Sequence, residues 1–381
     1  MPLTPPAFSR RQLLGHSTLL AASLALPAYA QPARNAASRS ITIAQPVDFS
    51  QAQQDVSKDF LIGSRAAWQD LNARGGLRGR TVQHVALETD GTPASLATAL
   101  ESIADNAACV ALSGSVGDQL ASQIAALSHD NKLNIAHAAP WLQNSSLDID
   151  DKTFPIFAAR QKQIAHALKT LLVMGLKEIG AIYATPKDFS THRAEVERIA
   201  SAMQIRLQTY EGRDNLRALG RKLTPGTPAV LLFLGGTPEL AEFTQGLATQ
   251  SRQRYVVALA DVNLQTMQQM GAARSTPVIA TQPVPLVNAS LPVVRSYRET
   301  MARLFDEPPT ALSLAGFIAA RYTYEVLNDV EGPLTRQTAL AAFQRRNTLD
   351  VGGFRIAFDP QRRSGSYVTQ SMMTADGRLI G

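Results

Sequence analysis

The residues best placed to do chemistry stand in the stretch Val110-Ala-Leu-Ser-Gly-Ser-Val-Gly-Asp118. An apolar run ends there in small residues, and Leu120, Ile124 and Leu127 then return at helical spacing, so the stretch predicts strand, loop and helix. A helix start leaves backbone N–H groups without partners and carries partial positive charge. Gly114 and Gly117 would let a solute approach that backbone closely. Ser115, Val116, Gly117 and Asp118 are therefore candidates for gripping a small anionic or zwitterionic solute. An ordinary turn between strand and helix carries the same local signature, so the loop alone leaves both readings open.

The surrounding chain supplies the elements that would position such a loop. Strands are expected at Ile41 to Val47, Thr81 to Leu87, Ala107 to Ser113 and Lys132 to Ala136. Helices are expected at Val56 to Arg74, Pro93 to Asn106 and Gly117 to Asn131. Alternation of nearly all-apolar strands with helices indicates a parallel sheet covered on both faces, whose ligands bind beyond the carboxyl ends of the strands. A polar stretch from Gln143 to Thr153 interrupts the pattern, and a second αβ series of the same grammar runs from Gln161 to Thr281. Two tandem α/β bodies with a break between them imply a cleft. After Leu291 three helices follow without strands, and Gly353 to Phe358 and Tyr367 to Thr374 are expected to pair as an antiparallel hairpin.

Composition bounds the function. Paired Arg10 and Arg11 precede a mildly apolar run, and Ala28-Tyr29-Ala30 offers a cleavage site. This segment resembles a twin-arginine export signal, and a general secretory signal is the alternative. Gln31 to Ser40 reads as a flexible leader. Removing the first thirty of 381 residues takes the formal charge from +6 to +4, because those thirty hold two arginines and no acid. The charges are interspersed, so they read as solvated faces rather than a nucleic-acid surface, and no later run is long enough to insert stably in a membrane. The single cysteine, Cys109, lies in an apolar run and reads as a buried, inert thiol.

In their order, Ile41-Thr-Ile-Ala44, Ala73-Arg-Gly-Gly-Leu-Arg-Gly-Arg80, Glu88-Thr-Asp-Gly-Thr-Pro93 and the Ser-Gly loop resemble the opening of the type I periplasmic solute-binding proteins. These are the Leu/Ile/Val-binding, branched-chain amino acid receptors of ABC importers. The resemblance continues through Ala181-Ile-Tyr-Ala-Thr-Pro-Lys-Asp-Phe-Ser190, Gly235-Gly-Thr-Pro-Glu239 and Val351-Gly-Gly-Phe-Arg-Ile-Ala-Phe-Asp-Pro360. It implies an α/β fold of two Rossmann-like lobes with parallel central sheets, hinged by three crossovers. Lobe one would hold about 41–153 and 284–349, and lobe two about 154–283 and 350–381. It implies capture of a small-molecule solute in the cleft, an amino acid or related carboxylate or amide, for an ABC permease in the inner membrane. The same module also serves as a periplasmic sensor, delivering a signal to a receptor, kinase or regulator.

By the same resemblance one wall would come from Ser115 to Asp118 and from Ala136, His137 and Ala138. The other would come from Phe189, from Gly236 or Thr237, and from Asp261, near the acid that pairs with a ligand ammonium. Asp118 departs from the family pattern, because a carboxylate there would repel a ligand carboxylate unless a cation intervenes. An aromatic residue expected near Val56 is also missing. His137 offers a donor to an anion or serves structurally, and Trp141 lines the cleft or is buried beneath it. No nucleophile elbow, phosphate loop, metal-ligand cluster or dinucleotide fingerprint occurs, so neither catalysis nor a cofactor is expected.

Overall fold

Strand β1 (Ile41–Asp48) is buried along its whole length, as expected of a central strand covered on both faces. The computed structural model describes residues 40–213, 215–365, 367–374 and 379–380. The expected export signal and most of the expected leader therefore lie outside the described residues. From β1 the chain runs through α1 (Gln54–Ala73), β2 (Val82–Thr89), α2 (Pro93–Ala104), β3 (Cys109–Ser113), α3 (Asp118–His129), β4 (Ala136–Ala138) and β5 (Thr153–Phe154). These strands form one parallel sheet in the order β2-β1-β3-β4-β5. Strand β4 lies slightly beyond the expected Lys132 to Ala136: the apolar lead-in stays outside the ladder, and Ala136 to Ala138 pair with Ala111 to Ser113.

The second series comprises α4 (Arg160–Val173), β6 (Glu178–Tyr183), α5 (Pro186–Ala202), β7 (Arg206–Glu211), α6 (Leu216–Lys222), β8 (Val230–Leu234), α7 (Thr237–Leu247), β9 (Tyr255–Ala258), α8 (Leu264–Gln269) and β10 (Val278–Gln282). It continues with α9 (Pro292–Leu304), α10 (Ala311–Asn328), α11 (Arg336–Gln344), β11 (Leu349–Val351), β12 (Phe354–Ile356), β13 (Thr369–Met373) and β14 (Leu379–Ile380). The second sheet has the order β14-β13-β10-β9-β8-β6-β7. It is parallel from β10 to β7, with β13 and β14 added antiparallel at one edge.

The expected hairpin between Gly353–Phe358 and Tyr367–Thr374 does not form. Strand β12 pairs with β11, across Gly352 and Gly353, and β13 joins β10 in the second sheet. Both glycines take positive φ, 60° and 92°, which the two-residue turn of such a hairpin requires. Val351, Phe354 and Ile356 pack into the same core as α1, α9 and α10.

Helix α1 carries the start of the site and is set by its contact with α10. A Cβ at Gly63 would lie 1.7 Å from the Ser313 carbonyl oxygen, and one at Gly316 would lie 1.9 Å from that of Phe60. Only glycine lets these two backbones approach so closely. The Ser64 hydroxyl donates to the Gly316 carbonyl at 3.2 Å across the same contact. Phe60, Ala67, Trp68 and Leu71 then face inward on α1.

Candidate functional site

The carboxyl ends of both sheets supply one network of buried polar groups. Asp118 opens α3 just past β3. One of its oxygens accepts the backbone N–H groups of Gln143 and Asn144 at 2.7 and 2.8 Å, and the other accepts from Arg160 at 3.0 Å. The same Arg160 nitrogen donates to Asp261, beyond β9, at 3.1 Å. Asp261 also accepts from the indole N–H of Trp141 at 3.4 Å. Trp141 is 1% exposed and packs edge-on against Phe60, with Phe157 beside it. One arginine thus bridges an acid following the first sheet and an acid following the second.

A cation is unfavourable in the first turn of a helix, where the dipole is positive, yet Arg160 is the first residue of α4. The two carboxylates offset that. Burial opposes the guanidinium's charge, but Asp118 and Asp261 outweigh it and the net shift of Arg160 is upward. Burial pushes the Asp261 carboxyl up, with Arg160 acting against it. Gln163, one turn along α4 and fully buried, fixes the neighbouring backbone. Its amide donates to Gln143 and to the Ala158 carbonyl, and its oxygen accepts from the Ala260 N–H and the Thr281 hydroxyl.

The loop that opened the sequence reading is filled by its own neighbours. A Cβ at Gly117 would stand 2.6 Å from that of Asp48, and one at Gly114 would stand 3.0 Å from the Phe60 ring. The space these glycines leave is therefore taken by side chains of the protein. Ser115 and His137 are both fully buried, with the hydroxyl 2.5 Å from Nε2, while Nδ1 has no partner. Burial pushes the imidazole down to about 3, so it is neutral near pH 7.

A second group of acids stands on α1. Asp55 accepts from the Thr237 hydroxyl at 2.5 Å, and Asp59 accepts from the Asn263 amide at 3.0 Å. Both donors belong to the second series. Thr237 opens α7, and Asn263 caps α8 with its carbonyl oxygen while its amide reaches Asp59. Burial raises both carboxyls; the hydroxyl of Thr237 acts against it at Asp55, and Thr310 and Asn263 act against it at Asp59, where Asp55 itself adds to the rise. Asp55, Asp59 and Asn263 border a cavity of about 790 Å³ between α1, α8, the end of α9 and the start of α10.

The family profile described as periplasmic binding protein matches residues 40–376. The chain belongs to the periplasmic binding proteins. An extracellular ligand-binding receptor from Verminephrobacter eiseniae is similar in fold, with a TM-score of 0.80 at 18% identity over 90% of this chain and 100% of that one. A substrate-binding periplasmic protein from Ralstonia solanacearum gives 0.77 at 21% identity, over 89% and 99%. The branched-chain amino acid transporter substrate-binding protein LivJ from Streptococcus pneumoniae, solved with isoleucine, gives 0.73 at 13%, over 90% and 98%. At such identities the likeness is one of fold. Among curated proteins none matches the chain.

In this binding protein the residues anticipated from sequence fall into four places. Asp118 and Asp261 meet through Arg160. Ser115, Val116, Gly117, Ala136, His137 and Ala138 lie buried behind them. Thr237, with Gly236 before it, faces Asp55, and Phe189 stands edge-on to Tyr183 and beneath Arg193. Arg160, Gln163, Asp55 and Asp59 were missed. Two signals were present: a cation opening a helix, and like charges four residues apart on α1. Among the described residues no helix is long and apolar enough to cross a membrane, and no three acidic, histidine or cysteine side chains gather to hold a metal.

Proposed function

We propose that the chain is the exported solute-binding component of an ABC importer, capturing a small polar solute between bodies built on the two sheets. The export signal at 1–30 and delivery to an inner-membrane permease belong to this reading. The observation that carries it is the Arg160 bridge: groups following the two sheets, Asp118 and Asp261, are joined at the strands' carboxyl ends, where solutes of open α/β sheets bind. The two lobes are the first sheet with α9, α10, α11 and the β11–β12 hairpin, and the second sheet with its own helices. Capture follows from differential affinity, since a solute that touches both lobes favours their approach over their separation.

A free amino acid would present a carboxylate to the turn after β4 and an ammonium to Asp261. Here Asp118 already takes the N–H groups of that turn, and Arg160 already neutralises Asp261. The walls given by Ser115 to Asp118, Ala136 to Ala138, Phe189, Gly236, Thr237 and Asp261 therefore act as a scaffold that brings the lobes together. A thermal-shift screen of the exported chain against metabolites tests the reading. Ligand at 100 times its dissociation constant adds about 2.7 kcal/mol to the folded state. One chemical class that raises the melting temperature and is recovered unchanged supports a solute receptor; conversion of the compound would point to catalysis, and no shift with any compound would remove the solute.

A further inference from the structure

The cavity beside α1 differs in chemistry from the Arg160 bridge. Its charged lining is Asp55, Asp59 and Glu307 against the single Lys58, so its wall is net acidic in a chain whose formal charge is +6. The groups that donate to Asp55 and Asp59 are neutral, the Thr237 hydroxyl at Asp55 and the Thr310 hydroxyl and Asn263 amide at Asp59, and Lys58 is the one cation of the lining. Both carboxylates are half-buried, and a carboxylate partly withdrawn from water with neutral partners gains from a cation. Two like charges four residues apart on one helix face add to that demand.

Resting on the solute-receptor reading above, we propose that this cavity is where the solute is held, and that the solute is a small organic cation, an aliphatic amine or diamine. Asp55 and Asp59 take the ammonium. Ile62, Met270 and Met301 supply an apolar surface for the hydrocarbon body, and the amides of Gln265 and Gln269 line the second-sheet side. A volume of about 790 Å³ is in the range of small-molecule sites. An anion would meet three acids and one lysine. A hard metal ion would need ligands converging on one point, and no such group stands among the described residues. Because Asp55 and Asp59 lie on α1 while Pro238, Asn263 and Met270 belong to the second series, the cation contacts both lobes and favours their approach.

The test is titration calorimetry of the exported chain with 1,4-diaminobutane, butylamine and butanoate, with the wild type and Asp55→Asn, Asp59→Asn and Asp130→Asn. Asparagine keeps an acceptor for Thr237 or Asn263, and Asp130 is an exposed acid paired with Lys132. Saturable binding of an amine is expected, with butanoate inert. Asp55→Asn and Asp59→Asn should each weaken it at least about tenfold, and Asp130→Asn should leave it unchanged. Binding of butanoate in preference to the amines, or amine binding that Asp55→Asn and Asp59→Asn leave intact, would overturn the assignment. So would the absence of amine binding at millimolar concentration. The receptor reading would still stand in those cases if the metabolite screen found another class of solute, and it would fall only with that screen.

Discussion

Two acid pairs in this molecule receive groups from the other sheet's series, and they are neutralised in opposite ways. Asp118 and Asp261 share Arg160, whose guanidinium lies on their bridging line. Asp55 and Asp59 have a hydroxyl and an amide, and an open cavity in front of them. Where the counter-charge is built in, the acids join the two bodies without help. Where one lysine faces three acids, a cationic solute completes the set. The first pair therefore serves architecture and the second recognition.

The largest expected effect comes from breaking the built-in counter-charge. Arg160→Ala leaves two part-buried carboxylates without their counter-charge and should cost about 3 kcal/mol in urea unfolding. Replacing the whole set, with Arg160→Met, Asp118→Asn and Asp261→Asn together, should recover most of that loss. An equal loss in the triple variant would show that packing, and not charge, is at stake. Gly316→Ala comes next. Its methyl would press on the Phe60 carbonyl, push α10 from α1 and distort the cavity wall, costing about 1–3 kcal/mol in the same assay.

Acid separates the two regions further. Burial holds His84 and His192 down to about 4 and His137 down to about 3, and Arg160 contributes at His192. The unfolded chain takes up these protons near pH 6.5 and the folded chain does not. Their stabilisation is full above that value and is lost as pH falls toward 4, at about 1.4 kcal/mol per unit for each histidine. None of the three borders the cavity. Denaturant midpoints measured from pH 7 to pH 5 check the slope, and His137→Asn should flatten it. Asp55 and Asp59 have the opposite sign: their raised carboxyls make the folded state the better proton acceptor, so it gains stability as pH falls through the carboxylate range. The smallest effect follows. Asp55→Asn or Asp59→Asn should change stability at pH 7 by less than about 1 kcal/mol, in the stabilising direction, whereas Asp118→Asn should destabilise.

Local pattern made the fold legible. Apolar runs gave the strands and spaced apolar residues gave the helices, because each depends on side chains near in sequence. The misplaced hairpin shows the limit. Gly352-Gly353 carries the two-residue turn signal, the longer polar turn at Asp359 to Gly365 competes with it in sequence, and the strands on either side of that polar turn join different sheets. The site was legible only in part. Asp118 and Asp261 stood out by type, but Arg160 is 42 and 101 residues from its partners, and Asp55 and Asp59 are 182 and 204 residues from theirs. Contacts at such separations leave no local periodicity to read.

The most direct measurement is the distance between spin labels at Ser102→Cys on α2 and Arg198→Cys on α5, both exposed, with the single native cysteine buried. With the Arg160 bridge intact the distribution should be narrow. In Arg160→Ala it should broaden and lengthen, and 1,4-diaminobutane should narrow it again through Asp55 and Asp59. A distribution that Arg160→Ala leaves unchanged would contradict the division of labour between the two acid pairs.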